Sequence, residues 1–318
     1  MARTLPRFFC KSIQESSNNF QFKGPCVTNK KKKVETPVVA VINMKGGVGK
    51  TTISAHVFRH LYSHLKKRVL LVDFDPQFNL TQAVMPQANY EKLKAAGKTV
   101  FSVMEDNGPT SIFKVSNNLG PPPSMADVTA RLRHFRNNNP DLLLVPGDFD
   151  MVKYSMIGDG KVLEPVKSRF LQFIENCRAE RDLICIDCNP SSSFMTICAL
   201  QAATHVLVPV RPDRYSILGL KMLNRFIDEL PQLTKKPELI VLLNGIKPTG
   251  YDPAVENALR SDPEFGPVTL AKSLKISKLL EATVDYTGFA TDKKGQAWRV
   301  TPNISAIVDE LGAVLGLT

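Results

Sequence analysis

The chain of 318 residues is 43% hydrophobic, has 22% Asp, Glu, Lys and Arg, and carries a formal net charge of +11. That length and apolar share suit one large α/β domain, or two small ones, with a real buried core, and exclude a chain too polar to fold. No apolar run approaches the ~20 residues that span a bilayer and no secretory-type apolar block opens the chain, so neither a membrane span nor export is expected.

Residues 1–36 hold eight Lys or Arg against Glu15 and Glu35, a local surplus of +6 that leaves +5 for the other 282 residues. They are rich in Ser, Asn and Lys, show no hydrophobic period and end in a lysine run from Lys30 to Lys33. A basic, disordered tail is the expectation, followed by one domain over 37–318. A surplus of this sign suits polyanions, either DNA or an anionic membrane, or simply a soluble surface.

From Pro37 the pattern becomes short β-branched runs separated by helical stretches. Strands are predicted at 38–42, 69–73, 141–145, 183–187, 205–210 and 239–244, with helices at 52–66, 162–178, 193–203 and 216–230. Strands that are apolar throughout and alternate with helices predict an α/β fold, a mostly parallel twisted sheet with helices on both faces. The segment 107–140, with Gly120-Pro121-Pro122-Pro123 and a run of asparagines, reads as a surface insertion. Cys185 and Cys188 form a C-x-x-C within an apolar strand pattern, where alternation sends them to opposite faces; buried, reduced cysteines are expected rather than a metal or redox pair.

Between the first strand and the first long helix stands Lys45-Gly46-Gly47-Val48-Gly49-Lys50-Thr51-Thr52. Glycines let the backbone curl its N–H groups around an anion, and the following helix aims its positive end at the same place. Lys50 is expected to neutralise phosphate charge and the Thr51 hydroxyl to hold Mg²⁺. Met44 stands where the general motif has glycine, and an additional lysine follows at Lys45. Two acids, Asp73 and Asp75, lie on one side of the second strand's end, and a single acid, Asp187, ends the strand 183–187; all three fall at the carboxyl edge where α/β sheets bind ligands.

The loop Asn43-Met44-Lys45-Gly46-Gly47-Val48-Gly49-Lys50-Thr51-Thr52, with Asp73-Phe74-Asp75-Pro76-Gln77 and the strand ending in Asp187, resembles the ParA/MinD family of deviant Walker-A ATPases, closest to its ParA/Soj-type partition members. The resemblance covers about 37–318 and implies a P-loop fold, ATP and Mg²⁺ as cofactors, and slow hydrolysis. It implies that Lys45 reaches the phosphates of a second subunit in an ATP-bound homodimer, that Asp73 and Asp187 lie near the Mg²⁺, and that Asp75 orients the attacking water. It places Pro212, Asp213 and Asn244 at the adenine. The family usually follows the third acid with a residue and two prolines; here Cys188-Asn189-Pro190 follows, which puts the γ-phosphate-sensing turn in doubt.

For cargo, the resemblance implies non-specific DNA and a ParB-like stimulator in a cytoplasmic, nucleoid-associated protein. Lys221, Arg225, Lys275, Lys278, Lys293 and Lys294 are the candidate DNA contacts. A MinD-like membrane switch is the alternative, but the C-terminal stretch from Asn303 has two acids and no Lys or Arg and reads as a helix packed on the domain. An ATPase of this type serving another cellular assembly remains open.

Overall fold

In the computed structural model, the described residues are 35–318 apart from 107–110, 112, 117, 118, 136–138, 190–192, 248, 282–287 and the side chain of Arg214. The tail expected at 1–36 therefore lies outside them except for its last two residues, and those two belong to the fold. Glu35 forms ion pairs with Arg178 and with Lys235, and the Thr36 hydroxyl donates to the carbonyls of Arg178 and Arg181.

Eight strands form the sheet: β1 (Val38–Val41), β2 (Val69–Phe74), β3 (Ala130–His134), β4 (Asp141–Val145), β5 (Leu183–Cys188), β6 (His205–Val210), β7 (Glu238–Ile246) and β8 (Leu274–Lys275). Their spatial order is β3-β4-β2-β5-β1-β6-β7-β8. Every neighbouring pair is parallel except β3 on β4. Central β1 is flanked by β5 and β6, so its carboxyl end opens at the point where strand order reverses, the standard ligand position of such sheets.

Strand alternation divides the apolar side chains between two cores. Val38, Ala40, Ile184, Ile186 and Cys188 face one, with the helices Gly160–Arg178, Phe194–Ala202 and Arg214–Glu229 packed over them. Val39, Val41, Leu183 and Cys185 face the other. There, a continuous helical run from Lys50–Ile53 through a π-turn at Ser54–Phe58 to Arg59–His64 packs beneath the C-terminal helix Thr301–Val314. Both faces are thus covered, which is why these strands can be apolar at every position. Cys185 and Cys188 face opposite cores, and Cys177, Cys185, Cys188 and Cys198 are all buried and free.

Two strands escaped the sequence pattern. β3 lies inside the stretch read as an insertion, pairing antiparallel with β4 through a bulge between Arg131 and Arg133. Its pattern is basic rather than apolar because it is an edge strand, and charge there discourages a further strand from adding. β8 has two residues, too few for any period. Among the described residues no helix is long and apolar enough to cross a membrane.

Candidate functional site

The loop from Asn43 to Gly49 turns sharply after β1, with Gly47 and Gly49 at φ of 71° and 92°, a backbone region that costs L-residues about 1–2 kcal/mol. It opens onto a cleft of about 620 Å³ lined by Gly46, Gly49, Lys50, Thr51, Asp75 and Asn244. Asn43 is fully buried and fixes the start of the loop: its Nδ2 donates to the Pro209 carbonyl at 2.7 Å and its Oδ1 accepts from Lys45 N at 2.9 Å. Sequence reasoning missed this tether, since an asparagine after a strand is an ordinary turn residue.

The two loop lysines go different ways. Lys50, at the first turn of the helix, is buried with its Nζ 3.5 Å from the Asn43 carbonyl. Burial lowers its pKa, while the nearby Asp187, Cys188 and Asp75 pull it back up. Lys45 points away from this position. Its Nζ donates to both carboxylate oxygens of Asp213, at 2.9 and 3.0 Å, and to Ser216 Oγ at 3.3 Å.

Asp187, next to last in β5, is tied to the helix that follows the loop. Thr51 Oγ1 donates to its Oδ2 at 2.9 Å and Ser54 Oγ to its Oδ1 at 2.8 Å. Burial pushes its carboxyl up to about 6, against the hydrogen bonds from Ser54 and Thr51 and the charge of Lys50. A hydroxyl and a carboxylate side by side are the hard oxygen donors that Mg²⁺ takes, and they fit that ion. Among the described residues no three His, Cys, Asp or Glu side chains converge on one metal position. Ser54 is a further participant that carried no motif signal.

Asp73, expected near the Mg²⁺, stands beside Asp187 but back from the cleft surface. It pairs in register with Asp187 but is fully buried and does not line the cleft. Its Oδ2 accepts from Thr81 N and Thr81 Oγ1, both at 2.7 Å, and Thr81 Oγ1 accepts in turn from Gly147 N at 2.9 Å. Burial and then the Asp187 charge push its pKa up to about 8 against those bonds. Asp73 therefore anchors the short helix Asn79–Val84 beside the site. Asp75, two residues on, does line the cleft; its Oδ1 accepts from Gln77 N at 2.9 Å and from Asn189 Nδ2 at 3.4 Å. Asn189, the departure from the family pattern, thus touches the residue expected to position water.

The residues expected at the base have partners within the chain. Asn244 Nδ2 donates to the Val48 carbonyl at 2.6 Å, so close over the loop that a Cβ on Gly49 would lie 2.1 Å from it. Asp213 caps the helix Arg214–Glu229 through Ser216 N at 2.8 Å and holds Lys45. Burial works to raise its pKa, but the hydrogen bonds from Lys45 and Ser216 outweigh it and hold the carboxyl below its ordinary value. Pro212 precedes it and is half-buried, while the neighbouring Arg211 lines the cleft.

The candidate DNA contacts fall on separate segments. Lys221 and Arg225 are exposed on Arg214–Glu229, with Arg225 paired to Glu229 at 2.7 Å. Lys275 lines the cleft itself, Lys278 is exposed after β8, and Lys293 and Lys294 sit in a turn before the C-terminal helix.

A family model described as an AAA domain matches residues 36–241. Among curated relatives, the chromosome partitioning protein ParA of Myxococcus xanthus is 31% identical over 220 residues, 68% of this chain and 65% of that protein. The chain spans between 46% and 65% of the length of several curated relatives that it matches, this ParA included. Among solved structures, a plasmid partition protein from Borrelia burgdorferi bound to AMPPNP superposes with a TM-score of 0.58 at 18% identity, covering 86% of this chain and 98% of that one. The structure of pNOB8 ParA bound to nonspecific DNA gives 0.55 at 20%, covering 87% and 92%. Likeness at that identity concerns the fold.

Proposed function

The chain belongs to the AAA-domain family, among its ParA/MinD-type P-loop ATPases, and on that premise we propose that it is an ATP-dependent switch that pairs with a second copy, hydrolyses ATP slowly and positions DNA by binding it without sequence preference. The observation that carries this reading is the separation of the two loop lysines. Lys50 stays beneath its own loop, while Lys45 is turned out to Asp213. A P-loop needs one lysine, and a second that faces outward suits a phosphate held by another copy.

Bound ATP with Mg²⁺ supplies the γ-phosphoryl group to be cleaved. Backbone N–H groups of residues 46–50 would cradle the phosphates, Lys50 would neutralise them, and Thr51 and Asp187 would hold the metal. Asp75 orients a water whose oxygen attacks the γ-phosphorus as the bond to the β-phosphate oxygen breaks, releasing ADP and phosphate. The exposed apolar stripe Tyr215, Leu218 and Met222 on the helix that begins at Asp213 supports pairing, because it stands on the same element as the partner of Lys45.

The net charge of +11 and the nonspecific-DNA complex of pNOB8 ParA favour DNA as cargo, with a ParB-like protein as stimulator. A cytoplasmic, nucleoid-associated setting follows from that reading. A membrane-binding helix at the C-terminal end is disfavoured, because Ile304, Ile307, Val308 and Leu311 of that helix are buried in the domain. Light scattering with ATP or ADP, and titration of random-sequence duplex at several salt concentrations, test the proposal. Dimers and steeply salt-dependent DNA affinity should appear with a slowly hydrolysed ATP analogue and not with ADP. One association state with either nucleotide would refute it.

A further inference from the structure

An ammonium has three N–H donors, and those of Lys45 meet three oxygens: Asp213 Oδ1, Asp213 Oδ2 and Ser216 Oγ. The receptor is built before the lysine arrives. Ser216 is fully buried and gives both its backbone N–H and its hydroxyl to Asp213, at 2.8 and 2.9 Å. The loop side is equally fixed, with Lys45 N held by Asn43, itself bonded to the end of β6 through the Pro209 carbonyl. The phosphate loop and the connection from β6 to Arg214–Glu229 are therefore joined at two points, one deeply buried and one at the surface. Only the second, with Lys45 and Asp213 side chains 37% and 38% exposed, can open without unmaking the core.

We infer that Asp213 is a positioning residue that holds Lys45 within its own chain and competes with the phosphate of a second copy for that lysine. The inference rests on the pairing reading above and adds to it a brake: each copy must release Lys45 before the lysine can cross. The exposed Tyr215 and Leu218 stand on the helix that follows Asp213, so the lysine is held beside the face offered for pairing. Two such bonds open per dimer. Exposed ion pairs of this kind hold back association by roughly 2- to 30-fold for the two together.

Asp213→Asn keeps an acceptor for Ser216 N while removing the charge that holds Lys45. Two measurements on the full chain follow, with nucleotide affinity by calorimetry and thermal melting in parallel. Competitive acetylation read by mass spectrometry should find the Lys45 amine several-fold more reactive in the nucleotide-free variant than in the natural chain. The dimer dissociation constant with a slowly hydrolysed ATP analogue should fall by about 2- to 30-fold. Equal Lys45 reactivity in the two proteins overturns the receptor. Greater reactivity with weaker pairing at unchanged nucleotide affinity overturns the brake, and makes Asp213 a contributor to the dimer. If the natural chain does not pair with ATP at all, the pairing reading fails, while the acetylation result still decides whether Asp213 holds the lysine. Should Asp213→Asn melt early, Ser216→Ala removes one of the three acceptors, and the same rise in Lys45 reactivity, smaller in size, is required.

Discussion

Asn244→Ala separates two roles for one residue. Had Asn244 met the adenine, its loss would weaken adenine nucleotides and spare bare phosphates. In the structure its Nδ2 instead holds the Val48 carbonyl at 2.6 Å and lies against Gly49, so it fixes the shape of the phosphate cradle. Removing a buried hydrogen bond of this kind costs about 1–2 kcal/mol, and the loop must recover that order on binding. Such a cost corresponds to about a 5- to 30-fold rise in Kd. Calorimetric titration with ATP, ADP, GTP and inorganic tripolyphosphate, all with Mg²⁺, should find a similar loss for each. A loss confined to ATP and ADP, with tripolyphosphate binding unchanged, would refute the clamp and return Asn244 to the base.

Three further outcomes follow from the same geometry. Lys50→Met should cut ATP affinity by about 100-fold or more in a calorimetric titration, since it removes a preorganised phosphate partner. Lys153→Met should destabilise the fold by about 3–5 kcal/mol in urea titrations, because Lys153 and Glu105 form a fully buried ion pair at 2.7 Å whose other half would be stranded. Adding Glu105→Gln should recover part of that loss, as the amide oxygen still accepts from the Tyr154 hydroxyl. His56 is buried, its Nδ1 bonds to no described residue, and burial followed by Arg59 and Lys293 lowers its pKa from 6.5 to about 4. The unfolded chain thus takes up that proton first, and stability present above pH 6.5 is lost as pH falls towards 4. His56→Gln should reduce this acid loss by up to about 3 kcal/mol, measured as the pH dependence of urea unfolding.

What the sequence by itself determined was everything encoded over short stretches. Each apolar run and its turn residues specified β1, β2, β4, β5, β6 and β7. The glycines and Lys50 specified the cradle, and Asp187 at a strand's end specified where an acid would stand, because these depend on backbone preferences and periods of a few residues. The burial of the C-terminal helix was legible for the same reason, as its apolar positions recur at helical spacing and it carries no Lys or Arg. Only the tertiary structure decided which side chains meet. Lys45 finds Asp213 across 168 residues, and Asn244 finds Val48 across 196, so nothing near either lysine or asparagine in the chain marks the partner. Asp73 and Asp75 are alike in local pattern, yet one is closed behind Thr81 and the other faces the cleft. β3 was hidden because an edge strand beside a buried sheet need not be apolar, and its assignment comes from the hydrogen-bonding row that β4 offers it. Contacts made by a sheet's loops at one edge join segments far apart in sequence, and their choice of partner is a property of the assembled surface.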